Sequence, residues 1–180
     1  MTTPFVVRIA TINDIDALVA LVNSAYRGDS SRAGWTTEAH LLDGLRVDAS
    51  GVSSAITASA DQTVLVREDA GELVACVHLQ RTGTTCYLGM LTTKPARQAS
   101  GIGRSMIEYA ERFARDEWHS TEMHMTVLTA RTELVAWYER RGYARTGERK
   151  PFPYGDEKWG LPKRADLEFY VLRKSLTSIT

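Results

Sequence analysis

The order of elements in this sequence predicts a mixed α/β fold. The expected core is a mostly antiparallel central sheet of about seven strands with helices on both faces. Three observations predict it. A β-branched run opens the chain and leads into helical periodicity. Three apolar runs follow, joined by turns too short for a crossover. The last third then alternates helix, strand, helix, strand, strand.

"FVVRIA" (Phe5 to Ala10) reads as the first strand. After it, Ile15, Leu18, Val19, Val22, Ala25 and Tyr26 recur at spacings of three and four, one face of a helix. Thr11 with Asp14 resembles a capping box at its start. "RGDSSRAG" reads as a polar break, and "WTTEAHLLDGL" as a short second helix with a threonine cap. "DASGVSSAITASAD" is ambiguous, with weak periodicity and room for a helical turn. "TVLVRED", "LVACVHLQR" and "CYLGMLTT" are then strands linked by "AGE" and "TGTT", an antiparallel meander.

The segment "KPARQASGIGRSMIEYA" (Lys94 to Ala110) joins the third of these strands to a helix running from about Gly101 to Asp116. Ile102, Met106, Tyr109, Ala110 and Phe113 fall on one face of that helix. "TEMHMTVL" alternates Met123, Met125 and Val127 as a strand does, and "RTELVAWYERR" is a helix with Gly142 placed for a left-handed cap. "YARTGE" and "LEFYVLRK" are strands. Between them, "RKPFPYGDEKWGLPKRAD" holds three of the five prolines and reads as a long ordered loop. No repeat, linker or composition shift divides the 180 residues, so residues 1–180 are expected to form a single domain.

Lys and Arg total 22, as do Asp and Glu, so the formal net charge is zero. That gives no global attraction to nucleic acid or to an anionic membrane. The two cysteines, Cys76 and Cys86, and the four histidines show no metal-ligand spacing, and no metal is expected. No apolar run is long enough to span a bilayer, and "MTTPFVVRIATIND" lacks the apolar core of a leader. The expectation is a cytoplasmic protein.

The loop at Lys94 to Ala110 carries the chemistry. It lacks the Gly-Lys pair of a Walker A loop, and Met106 stands where a dinucleotide fingerprint needs its third glycine. What remains is Gly-x-Gly at a helix start, where free N–H groups and the helix dipole favour an anion. A plain turn before a buried helix has the same pattern.

Gln98, Gly101 and Gly103 match in order and spacing the [QR]-x-x-G-x-[GA] acyl-CoA loop of the GNAT superfamily of N-acetyltransferases, and Pro95 also fits that pattern. Further on, "ELVAWYERRGY" resembles the family's second motif through Trp137, Tyr138, Glu139, Gly142 and Tyr143. Leu134 departs from it, and Arg131 stands where an asparagine is often found.

The resemblance implies a GNAT-like fold and acetyl-CoA as cosubstrate. It places the pantetheine arm along Leu91 and Thr93, and the pyrophosphate on the N–H groups of Ser100, Gly101, Ile102, Gly103 and Arg104. Gln98 would brace the loop or meet a phosphate, and Tyr138 would be the general acid for the leaving thiol. The asparagine's pantetheine contact does not carry over. No carboxylate base is found on "CYLGMLTT"; His78, His124, Tyr87 or a water relay are the candidates. By the same resemblance the acceptor pocket would take Tyr26 and Trp35 from one side and Tyr154, Asp156 and Glu157 from the other, with Phe152 and Trp159 nearby. Aromatics with carboxylates suit a small cationic amine.

The implied reaction is direct attack of a primary amine, of a small molecule, on the thioester. Peptide or protein N-acetylation and a non-catalytic acyl-CoA binding module are the alternatives. Neither nucleic acid nor membrane is expected as a partner, and a homodimer is left open.

Overall fold

The computed structural model describes residues 5–177. Seven strands form one sheet in the order β1 (Val6–Ile9), β3 (Gln62–Asp69), β4 (Glu72–Thr82), β5 (Thr85–Thr93), β6 (Glu122–Leu128), β9 (Glu168–Ser175), β7 (Ala144–Pro151). All neighbours are antiparallel except β5 and β6. A second, two-stranded ribbon pairs β2 (Leu42–Asp43) with β8 (Leu161–Pro162).

Strand alternation sorts the side chains between two layers. Leu65 and Val77 face α4 (Ile102–Asp116) and α5 (Thr132–Glu139), in a cluster with Met106, Ile107, Met123 and Val135. Val64, Val66 and Cys76 face the other way, against Leu18, Val22 and Ala25 of α1 (Ile15–Tyr26) and Val52 of α3 (Ala49–Thr57). A third cluster, of Leu41, Leu42, Leu128, Phe152 and Leu167, seats the β2–β8 ribbon beside β6. The edge strand β7 is exposed at every residue, and its Arg145, Glu148, Arg149 and Lys150 discourage further strand pairing.

The meander and the mixed sheet agree with the sequence. The carboxylate of Asp14 accepts the Thr11 N–H at 2.8 Å, as the capping pattern requires. The ambiguous stretch becomes α3, capped by Asp48, whose side chain accepts from Gly51 N. The polar break holds a helical turn, α2 (Gly28–Ser31).

The expected second helix at 35–45 does not form. Its chain makes turns, then β2. Glu38 is drawn inward to two arginines, and Leu41 and Leu42 are drawn into the third cluster; those tertiary contacts override a weak helical pattern. On α4 the buried stripe is Ile102, Met106, Ile107, Ala110 and Ala114, while Tyr109 and Phe113 flank it half-buried. The long loop after β7 is ordered, and it contains a 3₁₀ turn (Glu157–Trp159) and β8. Cys76 and Cys86 are both buried and unpaired. No helix among the described residues is long and apolar enough to cross a membrane.

One irregularity opens the sheet. β5 pairs with β6 only over Thr85, Cys86 and Tyr87. Past that point β5 bulges against β4: Cys76 opposes Thr92 and His78 opposes Gly89, so Met90 and Leu91 together oppose Val77. Met90 takes a left-handed conformation, φ 53°, uncommon for a side-chain-bearing residue and unusual inside a strand. The bulge turns the second half of β5 away from β6 and leaves a slot between them.

Candidate active site

Two cavities adjoin that slot and share lining residues. The first, about 290 Å³, lies between the end of β5, the 94–101 loop and the facing ends of α4 and α5. Of the residues expected to hold the cofactor, Leu91, Thr93, Gln98, Gly101, Gly103 and Arg104 line it. Gly101 caps α4 with φ 82°, a conformation glycine adopts without penalty. The first N–H groups of α4 therefore have no intrahelical acceptor and face the loop side. Ile102 does not line this cavity: its side chain is buried in the core, and only its backbone belongs to the helix terminus. Ser100 does not line it either; its hydroxyl donates to the Arg97 carbonyl.

Gln98 is a brace. Its Nε2 donates to Thr36 Oγ1 at 2.8 Å and to the Thr93 carbonyl at 3.1 Å, while its Oε1 accepts the Trp35 N–H at 2.9 Å. All of its amide bonding is thus turned to the protein. Arg104 is exposed and paired with Glu108 at 2.8 Å. A second guanidinium, Arg141, lines the same cavity. It lies 3.5 Å from the Trp137 ring centroid, donates to the Trp137 carbonyl at 2.7 Å, and keeps a buried Nε with no partner among the described residues. Sequence reasoning missed it, because it falls on an unconstrained position of the second motif.

The second cavity is smaller, about 80 Å³, and lies on the β6 and β2–β8 side of the slot. Tyr26, Leu91, Leu134 and Tyr138 line both cavities and form their junction. The Tyr26 hydroxyl donates to the Leu91 carbonyl, so α1 is tied to the bulged part of β5. Tyr138 is 6% exposed, and burial pushes its phenol well above the ordinary range. Among the described residues nothing hydrogen-bonds its hydroxyl, which nonetheless is not sealed from the cavities. By contrast, Tyr143 of the same motif is structural: its hydroxyl donates to Glu111 at 2.9 Å beneath α4.

The acceptor-side expectations need correction. Tyr26 lines the second cavity, as do Phe152 and Trp159. Trp35 lines the first cavity instead, with its ring 6.0 Å from that of Trp137. Tyr154, Asp156 and Glu157 line neither cavity. The Tyr154 hydroxyl donates to the Arg164 carbonyl and accepts the Leu167 N–H, Asp156 accepts from Lys158 N at 3.2 Å, and Glu157 begins the 3₁₀ turn on the surface. The polar groups of Tyr154 and Asp156 are used in folding the loop. His78 is half-buried and hydrogen-bonded with Gln62, and His124 packs on Tyr87; neither lines a cavity, and desolvation pushes both imidazoles down. Tyr87 does line the second cavity.

In place of carboxylates, the second cavity is walled by Arg27, Arg46 and Arg131 around a single acid, Glu38. Arg131 Nη1 donates to Glu38 at 3.0 Å and Arg27 Nη2 at 3.2 Å. Both arginines are nearly sealed, with side chains 7% and 4% exposed.

The profile of the Acetyltransferase (GNAT) domain family matches residues 60–145, which span the meander, the glycine loop, α4, β6 and α5. That match, together with the fold, supports a GNAT superfamily acetyltransferase. Solved structures share the GNAT fold over nearly the whole length. One is a candidate phosphinothricin N-acetyltransferase (TM-score 0.71, 17% identity, 97% of this chain and 100% of the other). Another is the ribosomal-protein-S18-alanine N-acetyltransferase from Escherichia coli (0.72, 12%, 98% and 97%). A third is yncA from Salmonella typhimurium, a candidate acetyltransferase solved with acetyl-CoA (0.70, 18%, 97% and 95%). A comparison with curated protein sequences returns no match. In this chain the glycine loop, the bulged strand and Tyr138 thus sit on one slot, where the two cavities share lining residues.

Proposed function

We propose that the chain transfers an acetyl group from acetyl-CoA to the primary amine of a small molecule, by direct attack of the amine on the thioester. The observation that carries this reading is the junction of two cavities at Tyr138. The two substrates, one in each cavity, would meet there.

An acyl-CoA fits the residues of the first cavity. The start of α4, with Gly101 and Gly103, offers N–H groups and the positive end of a helix dipole to the pyrophosphate, and Arg104 and Arg141 add charge. β5 past Tyr87 has no strand partner on the slot side, and although the Leu91 and Thr93 carbonyls already accept from Tyr26 and Gln98, the N–H groups there would serve an extended pantetheine arm. Acetyl-CoA supplies the activated acetyl group. Backbone N–H at Leu91 or its neighbour Met90 in the bulge would receive the developing oxyanion. As the C–N bond forms and the C–S bond breaks, the Tyr138 hydroxyl gives its proton to the sulfur; the proton lost by the amine returns to Tyr138 through solvent. Burial keeps the phenol protonated at neutral pH, the form that can donate.

The second cavity supports a small acceptor. It is about 80 Å³, walled by Leu42, Phe152 and Trp159. Its charge also argues against a peptide lysine, which would need an acidic groove, and Tyr138 argues against a merely binding module. Thiol release from acetyl-CoA across a panel of small amines and peptides, beside calorimetric titration with CoA, tests the reading. Absence of both CoA binding and turnover would overturn it.

A further inference from the structure

The charge around the acceptor cavity is unbalanced. Three guanidiniums, of Arg27, Arg46 and Arg131, line it with one carboxylate, Glu38. Glu38 is already shared by Arg27 and Arg131. Arg131 spends its other Nη on the Thr36 carbonyl at 2.7 Å. Arg27 reaches the Asp43 carbonyl at 3.2 Å but keeps a buried Nε with no partner among the described residues. Arg46 belongs to none of the ion pairs formed by the described residues; it lies beside the Tyr26 ring, 5.8 Å from the centroid, with Arg131 5.7 Å from the same ring. A buried donor without an acceptor and excess positive charge in a confined site both raise the free energy of the empty protein. An anion brought by a ligand would relieve both.

We propose that the acceptor carries an acid group beside its amine, as a free amino acid does, and that Arg46 binds that acid group. This rests on the acetyltransferase reading and specifies its acceptor. Arg46 has the free planar fork that suits a carboxylate or a phosphorus oxyacid. Arg27 and Arg131, pinned by Glu38, supply a fixed positive field behind it. The same field acts on the amine. Positive neighbours disfavour its ammonium form, so more of the bound acceptor is the neutral nucleophile, and the cavity has less need of a carboxylate base. A polyamine or other purely cationic acceptor would meet only repulsion.

The test is steady-state thiol release by the full chain with acetyl-CoA and matched pairs of acceptors. Each L-amino acid is paired with the amine that lacks its carboxylate, and 2-aminoethylphosphonate reports on a phosphorus acid. The acid-bearing member of each productive pair should have a kcat/KM about tenfold or more above its partner. Arg46→Gln should abolish that preference by raising KM for the acid-bearing member only, and Arg46→Lys should restore part of it. Equal use of both members, preference for the acid-free amines, or an unchanged preference in Arg46→Gln would each overturn the proposal. If no pair is turned over, calorimetric titration of the CoA-saturated protein with N-acetyl amino acids decides it: no binding overturns it. CoA titration alone separates the two readings, because intact CoA binding with no acid preference leaves the cofactor assignment standing.

Discussion

Arg131 donates to Glu38 at 3.0 Å, although the two lie 93 positions apart in the chain. The bond holds the turn at 35–42 against the start of α5, and the same carboxylate also holds Arg27. It therefore shapes the second cavity and closes the fold at one point.

Glu38→Gln keeps the shape but leaves two buried guanidiniums without their anion. Breaking one partner of a buried ion pair costs about 3–5 kcal/mol. Denaturant unfolding should show that loss in the midpoint. A midpoint within experimental error of the parent would mean that the cluster contributes nothing to stability.

Tyr138→Phe removes one hydroxyl from the junction of the cavities. Loss of a general acid lowers kcat roughly a hundred-fold, with KM for acetyl-CoA nearly unchanged. Because burial raises the phenol's pKa, Tyr138 should add no basic limb to the kcat profile below about pH 10. Near-full turnover with chemistry rate-limiting would make Tyr138 a packing residue.

Gly103→Val should leave the fold intact. A Cβ there meets Thr93 Oγ1 at 3.5 Å and the Trp137 ring at 3.6 Å, ordinary contact distances. The added methyls would fill the cavity beside the start of α4 and abolish CoA binding in calorimetry. Circular dichroism checks the fold, and unchanged affinity in a folded variant would refute the phosphate assignment.

Asp14→Asn and a pH titration test the α1 entrance. Arg8 beside it holds the Asp14 carboxyl at about 2, below its ordinary 3.8. A depressed folded-state pKa stabilises the protein above the unfolded value. That contribution is present above about pH 4 and is lost as pH falls towards 2. Arg8 is 36% exposed, so solvent screening limits the pair to about 1 kcal/mol. The variant should be less stable than the parent at pH 7, and the gap should close at low pH.

Asp156→Asn with Glu157→Gln should leave the acceptor KM unchanged, because neither carboxylate lines a cavity. A raised KM would show that the loop after β7 moves over the acceptor when it binds.

Local patterns in the chain were enough for the meander, the glycine loop, α4 and Tyr138. Alternation, periodicity, turn length and motif spacing are set by residues near one another in sequence, and the resemblance tied them to acyl-CoA. Tertiary structure alone decided the acceptor side. The weak helical pattern at 35–45 gave way because Glu38 found Arg27 and Arg131, and Leu41 and Leu42 found Phe152 and Leu167. The carboxylates of the late loop were turned to local turns and the surface, while arginines from three separate segments converged on the cavity. A net charge of zero over the whole chain cannot reveal that concentration. Charge acts over a few ångströms, and which charges come that close is fixed only when the chain has folded.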